Sequence, residues 1–286
     1  MTMQDLLVVM DGSSRNDAVL SVAIGLARRH DAHLTGFCPL QLLYPANLGF
    51  ALSGHAEMLA VSEAVRHLQT YAQESARNLE ARFREQLRRH DIRGDWQIAS
   101  GAAAAAVAHR ARSADLVVLG QADADQPLPQ AGRGLIADVL MSAGRPLLII
   151  PFAGQFGTIG GNVLIGWSET REAARAAHDA LLLIEPGASV TLLTVERAKS
   201  GSLSGQVLGA EIAEHLARHG LKVTPSRTVN DGSITDADAL LSYASDISAD
   251  LLVVGGYGHS RAREMVLGGV SRELLDHPTL PVLISH

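Results

Sequence analysis

Short apolar runs alternate with longer amphipathic segments along the first half of the chain. Residues 6–10 (LLVVM) form an apolar run as long as a buried strand, and residues 33–38 form a second run before Pro39. Between them, a polar turn at 11–14 provides an N-cap, and residues 18–27 repeat apolar side chains at helical spacing. This order predicts a βαβ unit with parallel pairing and a right-handed crossover, and Pro39 is expected to end the second strand.

A long amphipathic helix is predicted from about residue 60 to residue 89. It follows an irregular stretch at 41–58, which proline and glycine interrupt. Glu80 and Arg84 stand one turn apart on its polar side, where an ion pair adds only a few tenths of a kcal/mol. Its apolar side chains recur every three or four residues, at Leu68, Tyr71, Ala72, Ala76, Leu79, Phe83 and Leu87. Further strands are predicted at 95–99, 116–120 and 146–150, with an alanine-rich helix at 102–111.

The same order of elements begins again in the second half. Residues 114–116 (ADL) recur at 249–251, an offset of 135 (249 minus 114), whereas Asp11 corresponds to Ser168, an offset of 157 (168 minus 11). The first half therefore carries 22 extra residues (157 minus 135), which we place in the irregular stretch and the long helix. The strands of the second half are predicted at 163–167, 190–195, 221–224, 251–254 and 281–284.

We interpret this repetition as an internal duplication. It predicts tandem domains at residues 1–152 and 160–286, joined by a glycine-rich stretch at 152–161 that suits a flexible linker. A length of 286 residues accommodates two α/β domains, each of which can bury its own core.

Composition narrows the classes of function. Hydrophobic residues make up 47% of the chain, which suits buried parallel strands, and the net charge of −6 argues against a nucleic-acid-binding surface. The first residues contain no cationic region before a long apolar run, so we expect a cytoplasmic protein without a membrane anchor. The single cysteine, Cys38, excludes an internal disulfide and is expected to be a small core residue at a strand end.

The strand predicted at 251–254 leads into a loop with four notable glycines. Gly255 and Gly258 follow the strand, and Gly268 and Gly269 precede the next helical pattern. Glycines permit positive φ angles and close approach of the backbone to a ligand, and free N–H groups at a helix N-terminus attract anions. Ser271 can add a hydroxyl donor. The pattern is neither a Walker A loop nor the Rossmann G-x-G-x-x-G, yet it predicts phosphate binding.

This loop resembles that of the universal stress proteins, whose nucleotide-binding members carry G-x2-G-x9-G-(S/T). Gly255, Gly258 and Gly268 fall on the glycines of the motif, and Gly269 stands where the family usually has Ser or Thr. The resemblance covers nearly the whole chain as a tandem pair. It implies an α/β fold like that of the adenine nucleotide alpha hydrolases: each domain is an open five-stranded parallel sheet with helices on both faces. It also implies a ligand pocket at the carboxyl ends of the strands.

The resemblance extends to further positions of the site. Ser168 stands where ATP-binding members usually have an aspartate. The resemblance therefore implies phosphate binding more strongly than adenine selectivity, and a different anionic ligand is an alternative. By family analogy, Val195 and Val254 flank a base, although both also suit ordinary core positions. Val270, after Gly269, completes the predicted site.

The first half has lost the loop pattern. At the offset of 135, Gly255 matches Gly120, but Gly258 matches Asp123, Gly268 matches Arg133 and Ser271 matches Ile136. Asp123 and Asp125 place carboxylates where a polyphosphate would lie, and like charges repel. We therefore predict that the first half does not bind nucleotide and instead packs against the second half as a pseudo-dimer partner.

Other candidate ligand groups lie near the loop. His259 can donate to a phosphate that Arg261 and Arg263 neutralise, or all three are surface residues. Asp231 and Asp236 are most simply helix caps, although one can reach a magnesium ion on bound phosphates. No catalytic motif is present, and no histidine spacing indicates a metal site.

The leading hypothesis is a stress-response regulatory protein that binds ATP or a related nucleotide, with or without magnesium, in its second domain and turns it over slowly or not at all. One alternative is a weak ATPase or an autophosphorylating protein with Ser260 or Ser271 as acceptor. A ligand-free interaction scaffold is another. The resemblance also implies dimer formation through the last strand of each domain, either within one chain or between two chains.

Overall fold

The computed structural model describes residues 2–40, 55–121, 134–197, 209–256 and 269–286. The first half contains β1 (Asp5–Val9), α1 (Asn16–His30), β2 (His33–Leu40), α2 (His55–His90), β3 (Gly94–Ser100), α3 (Ala103–Ala111), β4 (Leu116–Gly120), α4 (Leu135–Ala143) and β5 (Leu147–Ile150). The second half repeats this order with β6 (Asn162–Gly166), α5 (Arg171–Asp179), β7 (Ser189–Arg197), α6 (Ala210–Arg218), β8 (Lys222–Asn230), α7 (Asp236–Asp246), β9 (Leu251–Gly255), α8 (Gly269–Asp276) and β10 (Val282–Ser285).

All ten strands form one sheet in the order β3-β2-β1-β4-β5-β10-β9-β6-β7-β8. Neighbouring strands within each half are parallel, which confirms the predicted five-stranded parallel sheets. The halves meet where β5 and β10 pair antiparallel, with Leu283 opposite Leu148. The last strands of the two halves therefore pair within one chain.

Helices cover both faces of the sheet, as the fold class predicts. One core lies under α1, α2, α5 and α6, and the other lies under α3, α4, α7 and α8. Both cores run through the two halves without interruption. All four residues of β5 are buried, as are all four of β10, because both faces of these central strands are covered. The proposed domain boundaries stay a prediction, since the sheet and both cores continue across them.

Two arginines, one just before α1 and one near its end, bind the backbone at the junction of the halves. Arg29 donates to the carbonyl oxygens of Ile159 at 2.9 Å and Leu183 at 2.8 Å, and it forms an ion pair with Glu185 at 2.6 Å. Arg15 donates to two further carbonyl oxygens of this segment, at 2.9 and 3.0 Å. The glycine-rich stretch is thus fastened to the first half instead of forming a free linker.

Helix α2 confirms the predicted location of the extra residues. It has 36 residues, whereas its counterpart α6 has nine. Ala76, Leu79, Phe83 and Leu87 are buried as predicted, but Tyr71 is 67% exposed. The predicted apolar residue Leu68 lies outside the residues whose side chains are described. The predicted pair on the polar side is formed, with Arg84 and Glu80 2.6 Å apart. Within the described ranges, no helix is both long and apolar enough to cross a membrane.

The prediction that Pro39 ends β2 is wrong. The strand continues through Leu40 and pairs Pro39 with Ala99 of β3. Phe37 accepts a hydrogen bond from the Met10 N–H, so it faces β1, and Pro39 two residues later faces the same side. Because β1 has already ended at Val9, the missing N–H of proline costs no ladder hydrogen bond.

The predicted N-cap of α1 is also wrong. The N-cap residue is Arg15, which makes no side-chain capping bond, and the helix begins at Asn16. Asp11 instead accepts a hydrogen bond from the Ser13 N–H at 2.9 Å. Such a turn lets the loop residues satisfy one another locally before the helix begins.

Cys38 should be inert in the folded protein. It is a buried free cysteine in β2, and burial, with a smaller contribution from the Asp11 charge, raises the pKa of its thiol to about 12. Only the thiolate reacts with iodoacetamide, so at pH 8 we expect alkylation of the native protein to be about a thousandfold slower than that of the urea-unfolded protein. Mass spectrometry of timed samples measures both rates, and equal rates would contradict the assignment.

Candidate functional site

The candidate site lies at the carboxyl edge of the second half, where β6 and β9 run side by side. Gly166 at the end of β6 pairs with Val254 of β9. From β6 the strand order continues to β7 and β8 on one side and to β9 and β10 on the other. A crevice opens at such a switch point, and open α/β sheets bind ligands there.

Gly255 ends β9 directly against the first turn of α5. A Cβ at this position would lie 2.4 Å from the backbone nitrogen of Ala173 and 2.6 Å from the carbonyl carbon of Glu172. Its φ angle is not in the positive region, so the prediction that Gly255 provides a left-handed turn is wrong. This glycine is needed because a helix backbone occupies the space of a side chain.

A buried carboxylate lies in the same turn of α5. Burial acts to raise the pKa of Glu172, but hydrogen bonds from Arg171 and from its own backbone N–H lower it on balance. Glu172 is therefore ionised at neutral pH beside the end of β9. Its charge is balanced by the ion pair with Arg171.

Helix α8 begins at the other side of the crevice. Gly269 is its first residue and is exposed, Val270 is half-buried and Ser271 is buried. No described atom lies within 4 Å of the position of a Cβ on Gly269, and its φ angle is not positive. Among the described residues there is therefore room for the Ser or Thr that the family motif carries at this position.

The described residues at this edge line a cleft of about 480 Å³. It lies between the ends of β7 and β8 and the first turns of α7 and α8. The amide of Asn230 fixes its floor by donating to the Ile234 carbonyl at 3.0 Å and to Asp236 at 2.8 Å. The lining residues are Arg197, Asn230, Asp231, Gly232, Ile234, Thr235, Asp236, Gly269, Val270 and Glu273.

The cleft has acidic walls. Asp231, Asp236 and Glu273 line it beside one arginine, Arg197, which pairs with Asp236 at 2.9 Å. Hydrogen bonds from the side chain and then the backbone of Ser233 lower the pKa of Asp231 below its ordinary value. These carboxylates suit hydroxyl groups or a bound cation better than they suit phosphate oxygens.

The structure corrects the capping roles of the two aspartates. The N-cap of α7 is Thr235, whose side chain accepts a hydrogen bond from the Asp238 N–H at 3.0 Å. Asp236 is the first residue of the helix and joins Arg197 to Asn230. Asp231 accepts a hydrogen bond from the Ser233 N–H at 2.9 Å within the preceding loop. Both carboxylates line the cleft.

The other predicted site residues lie around this crevice. Ser168 is exposed after β6, with its hydroxyl 3.3 Å from that of Thr170. Val195 is half-buried in β7, and Val254 is buried in the core beneath α7 and α8. The remaining predicted residues, Gly258, His259 and Gly268, lie outside the described residues. So do Ser260, Arg261, Arg263, Asp123, Asp125 and Arg133.

The polar part of the cleft was not predicted from the sequence. The third strand of the second half was predicted to end at residue 224, whereas β8 extends to Asn230 and pairs this residue with Arg197. Exposed and partly buried residues alternate along most of this edge strand, but the partly buried Ser226 and Thr228 are themselves polar. Neither a continuous apolar run nor an alternation of apolar and polar residues therefore marked its end in the sequence.

The chain is similar in sequence and in fold to universal stress proteins. The model of the universal stress protein family matches residues 161–286. A curated universal stress protein of Synechocystis is 39% identical over 46 residues, and this stretch spans 16% of each protein. A universal stress protein structure from Archaeoglobus fulgidus aligns with a TM-score of 0.74 at 15% identity, covering 98% of this chain and 96% of that one.

A second solved structure has the same full-length arrangement. It is a functionally unknown protein of Pseudomonas aeruginosa, with a TM-score of 0.57 at 14% identity, and the alignment covers 99% of this chain and 92% of that one. At these identities the solved structures establish the shared fold.

Proposed function

Because residues 161–286 belong to the universal stress protein family, as the glycine pattern predicted, we propose that the second half binds ATP or a related nucleotide as a regulatory ligand. The observation that carries this proposal is the position of the start of α8. Gly269 and Val270 line the acidic cleft, and the predicted glycine loop connects the end of β9 to this same point. One ligand can therefore contact the helix N-terminus and the cleft together.

The phosphate groups are best placed at the N-terminus of α8. Backbone N–H groups in the first turn of a helix attract anions, and Gly269 is the exposed first residue of α8. Gly258, His259 and Gly268 belong to this phosphate site in the proposal.

The nucleoside is best placed toward the cleft. Ribose hydroxyls can donate to Asp231 or Asp236, and the apolar Val195 and Val270 offer contact to a base. One of the two carboxylates can instead share a magnesium ion with the phosphates. Ser168 contributes a hydroxyl in place of the charged aspartate that ATP-binding relatives usually carry.

We infer that nucleotide turnover is slow. No described group at the site has the arrangement of a nucleophile with an adjacent base. Ser271, one candidate for self-phosphorylation, is buried on α8 at 6% exposure, so its hydroxyl is poorly placed to attack a phosphate. In this proposal the conformation of the protein depends on whether nucleotide is bound and not on its hydrolysis.

Mass spectrometry of the purified protein tests this proposal. We expect one ATP or ADP per chain under native conditions, released on denaturation. The Gly258→Asp variant, which copies Asp123 of the first half, should retain none, because the new carboxylate repels the phosphates. Gly269→Ser should bind ATP about three- to tenfold more tightly by calorimetry, since an added hydroxyl contributes about one hydrogen bond in open space.

A matched variant in the first half provides the control. Gly134→Ser makes the change of Gly269→Ser at the corresponding position of the first half (269 minus 135) and should leave ATP affinity and nucleotide content unchanged. If the wild-type protein is empty and ATP does not raise its melting temperature, nucleotide binding is refuted and the scaffold reading replaces it. Equal nucleotide content in wild type and Gly258→Asp would instead place the ligand elsewhere.

A further inference from the structure

Three exposed histidines meet where α5 and α6 lie side by side, away from the cleft. His178 is on α5, His215 is on α6, and His219 is the C-cap residue of α6. The ring centroids of His215 and His219 are 4.9 Å apart, and those of His178 and His219 are 6.2 Å apart. The three rings therefore form one cluster drawn from two helices.

This spacing fits the geometry of a metal site. Residues four apart share a face of a helix, which brings His215 and His219 together. When two imidazoles bind one tetrahedral zinc ion at about 2.0–2.1 Å, their ring centroids stand roughly 5 Å apart. The two observed separations lie on either side of this value. Small side-chain rotations can direct one nitrogen of each ring to a common point.

We propose that His178, His215 and His219 form a surface site for a transition metal ion such as Zn²⁺. With the side chains as they stand, no group of three potential ligands in the described ranges could hold a metal ion, so the site requires the rings to rotate. All three rings are exposed, so rotation to the binding geometry meets little packing. Glu211, one turn before His215, is also exposed and can provide a fourth ligand in place of water.

No metal site was predicted from the sequence, because the three histidines do not form one local ligand motif. The H-x3-H pair at 215 and 219 is present, but the third ligand comes from a helix 37 residues earlier (215 minus 178). Only the packing of α5 beside α6 brings His178 to the pair. A bound ion would link these two helices and stabilise their contact.

Zinc titration of tag-free protein at pH 7.5, with a chromogenic chelator as competitor, tests the site. We expect one strongly bound equivalent per chain. His178→Ala, His215→Ala and His219→Ala should each weaken binding at least tenfold, the lower end of the loss seen when even a supporting partner of a ligand is removed. The matched control is His109→Ala, which removes an exposed histidine from α3 and should leave the affinity unchanged.

Cobalt provides an independent readout. Tetrahedral Co²⁺ at the site should give visible absorption that zinc abolishes and that each of the three variants lacks. Because all three side chains are exposed, circular dichroism should show unchanged folding in the variants. Absence of saturable zinc binding, or equal affinity in all proteins, would overturn the proposal. Unchanged affinity in His178→Ala alone would also overturn it, because the two-helix site requires that ring.

Discussion

The Gly255→Ala variant is expected to lose about 3 kcal/mol in its free energy of unfolding, near the upper end of the usual cost of overpacking. The new Cβ would stand 2.4 Å from the Ala173 nitrogen and 2.6 Å from the Glu172 carbonyl carbon. These are backbone atoms of a packed helix and cannot rotate away. The strand end or the first turn of α5 must therefore shift, which also disturbs the start of the predicted phosphate loop.

Gly120→Ala is the matched control at the corresponding strand end. There the nearest atoms are Cγ2 of Val19 at 3.2 Å and Cβ of Arg15 at 3.9 Å, both in side chains. We expect a loss below about 1 kcal/mol for this variant. Urea unfolding followed by circular dichroism measures both changes. Equal losses in the two variants would show that α5 does not restrict Gly255 as the structure indicates.

Asp250→Ala is expected to cost about 3 kcal/mol, the second large effect. The Asp250 carboxylate accepts hydrogen bonds from the backbone N–H groups of Gly160, Gly161 and Asn162 at 2.8, 2.9 and 3.0 Å. Hydrogen bonds to a charged group contribute more than neutral ones, and alanine leaves three donors without this acceptor. The substitution therefore loosens the entry to β6 at the junction of the halves.

The duplication supplies a graded comparison. Asp115, at the same position in the first half, accepts only two such bonds, from the N–H groups of Gln4 at 2.7 Å and Asp5 at 3.1 Å, and both are exposed. Asp115→Ala should therefore cost about 1 kcal/mol. Urea denaturation curves give both values. A larger loss for Asp115→Ala than for Asp250→Ala would contradict this account of the two carboxylates.

The fold could be predicted because its central strands are continuous apolar runs. Strands such as β4 and β9 are covered on both faces, so their sequences contain four apolar residues in a row, and the same runs recur in both halves. The shared ADL sequence before these strands has a physical reason as well. Its aspartate holds the backbone that enters the first strand of each half.

The parts that could not be predicted depend on contacts between distant segments. Glycine is needed at position 255 because of the backbone of Glu172 and Ala173 in α5, which lie more than 80 residues earlier in the chain. The polar cleft depends on the last residues of β8, an edge strand whose sequence contains no apolar run. Local turn chemistry likewise selected Thr235 over the nearby aspartates as the cap of α7.

The antiparallel pairing of β5 with β10 determines how the molecule presents its two ends. Because the halves run in opposite directions across this pair, their carboxyl edges lie at opposite ends of the sheet. The carboxyl ends of the first-half strands thus lie on the opposite edge of the sheet from the second-half cleft. Substitutions there alter one end of the molecule without touching a ligand at the other.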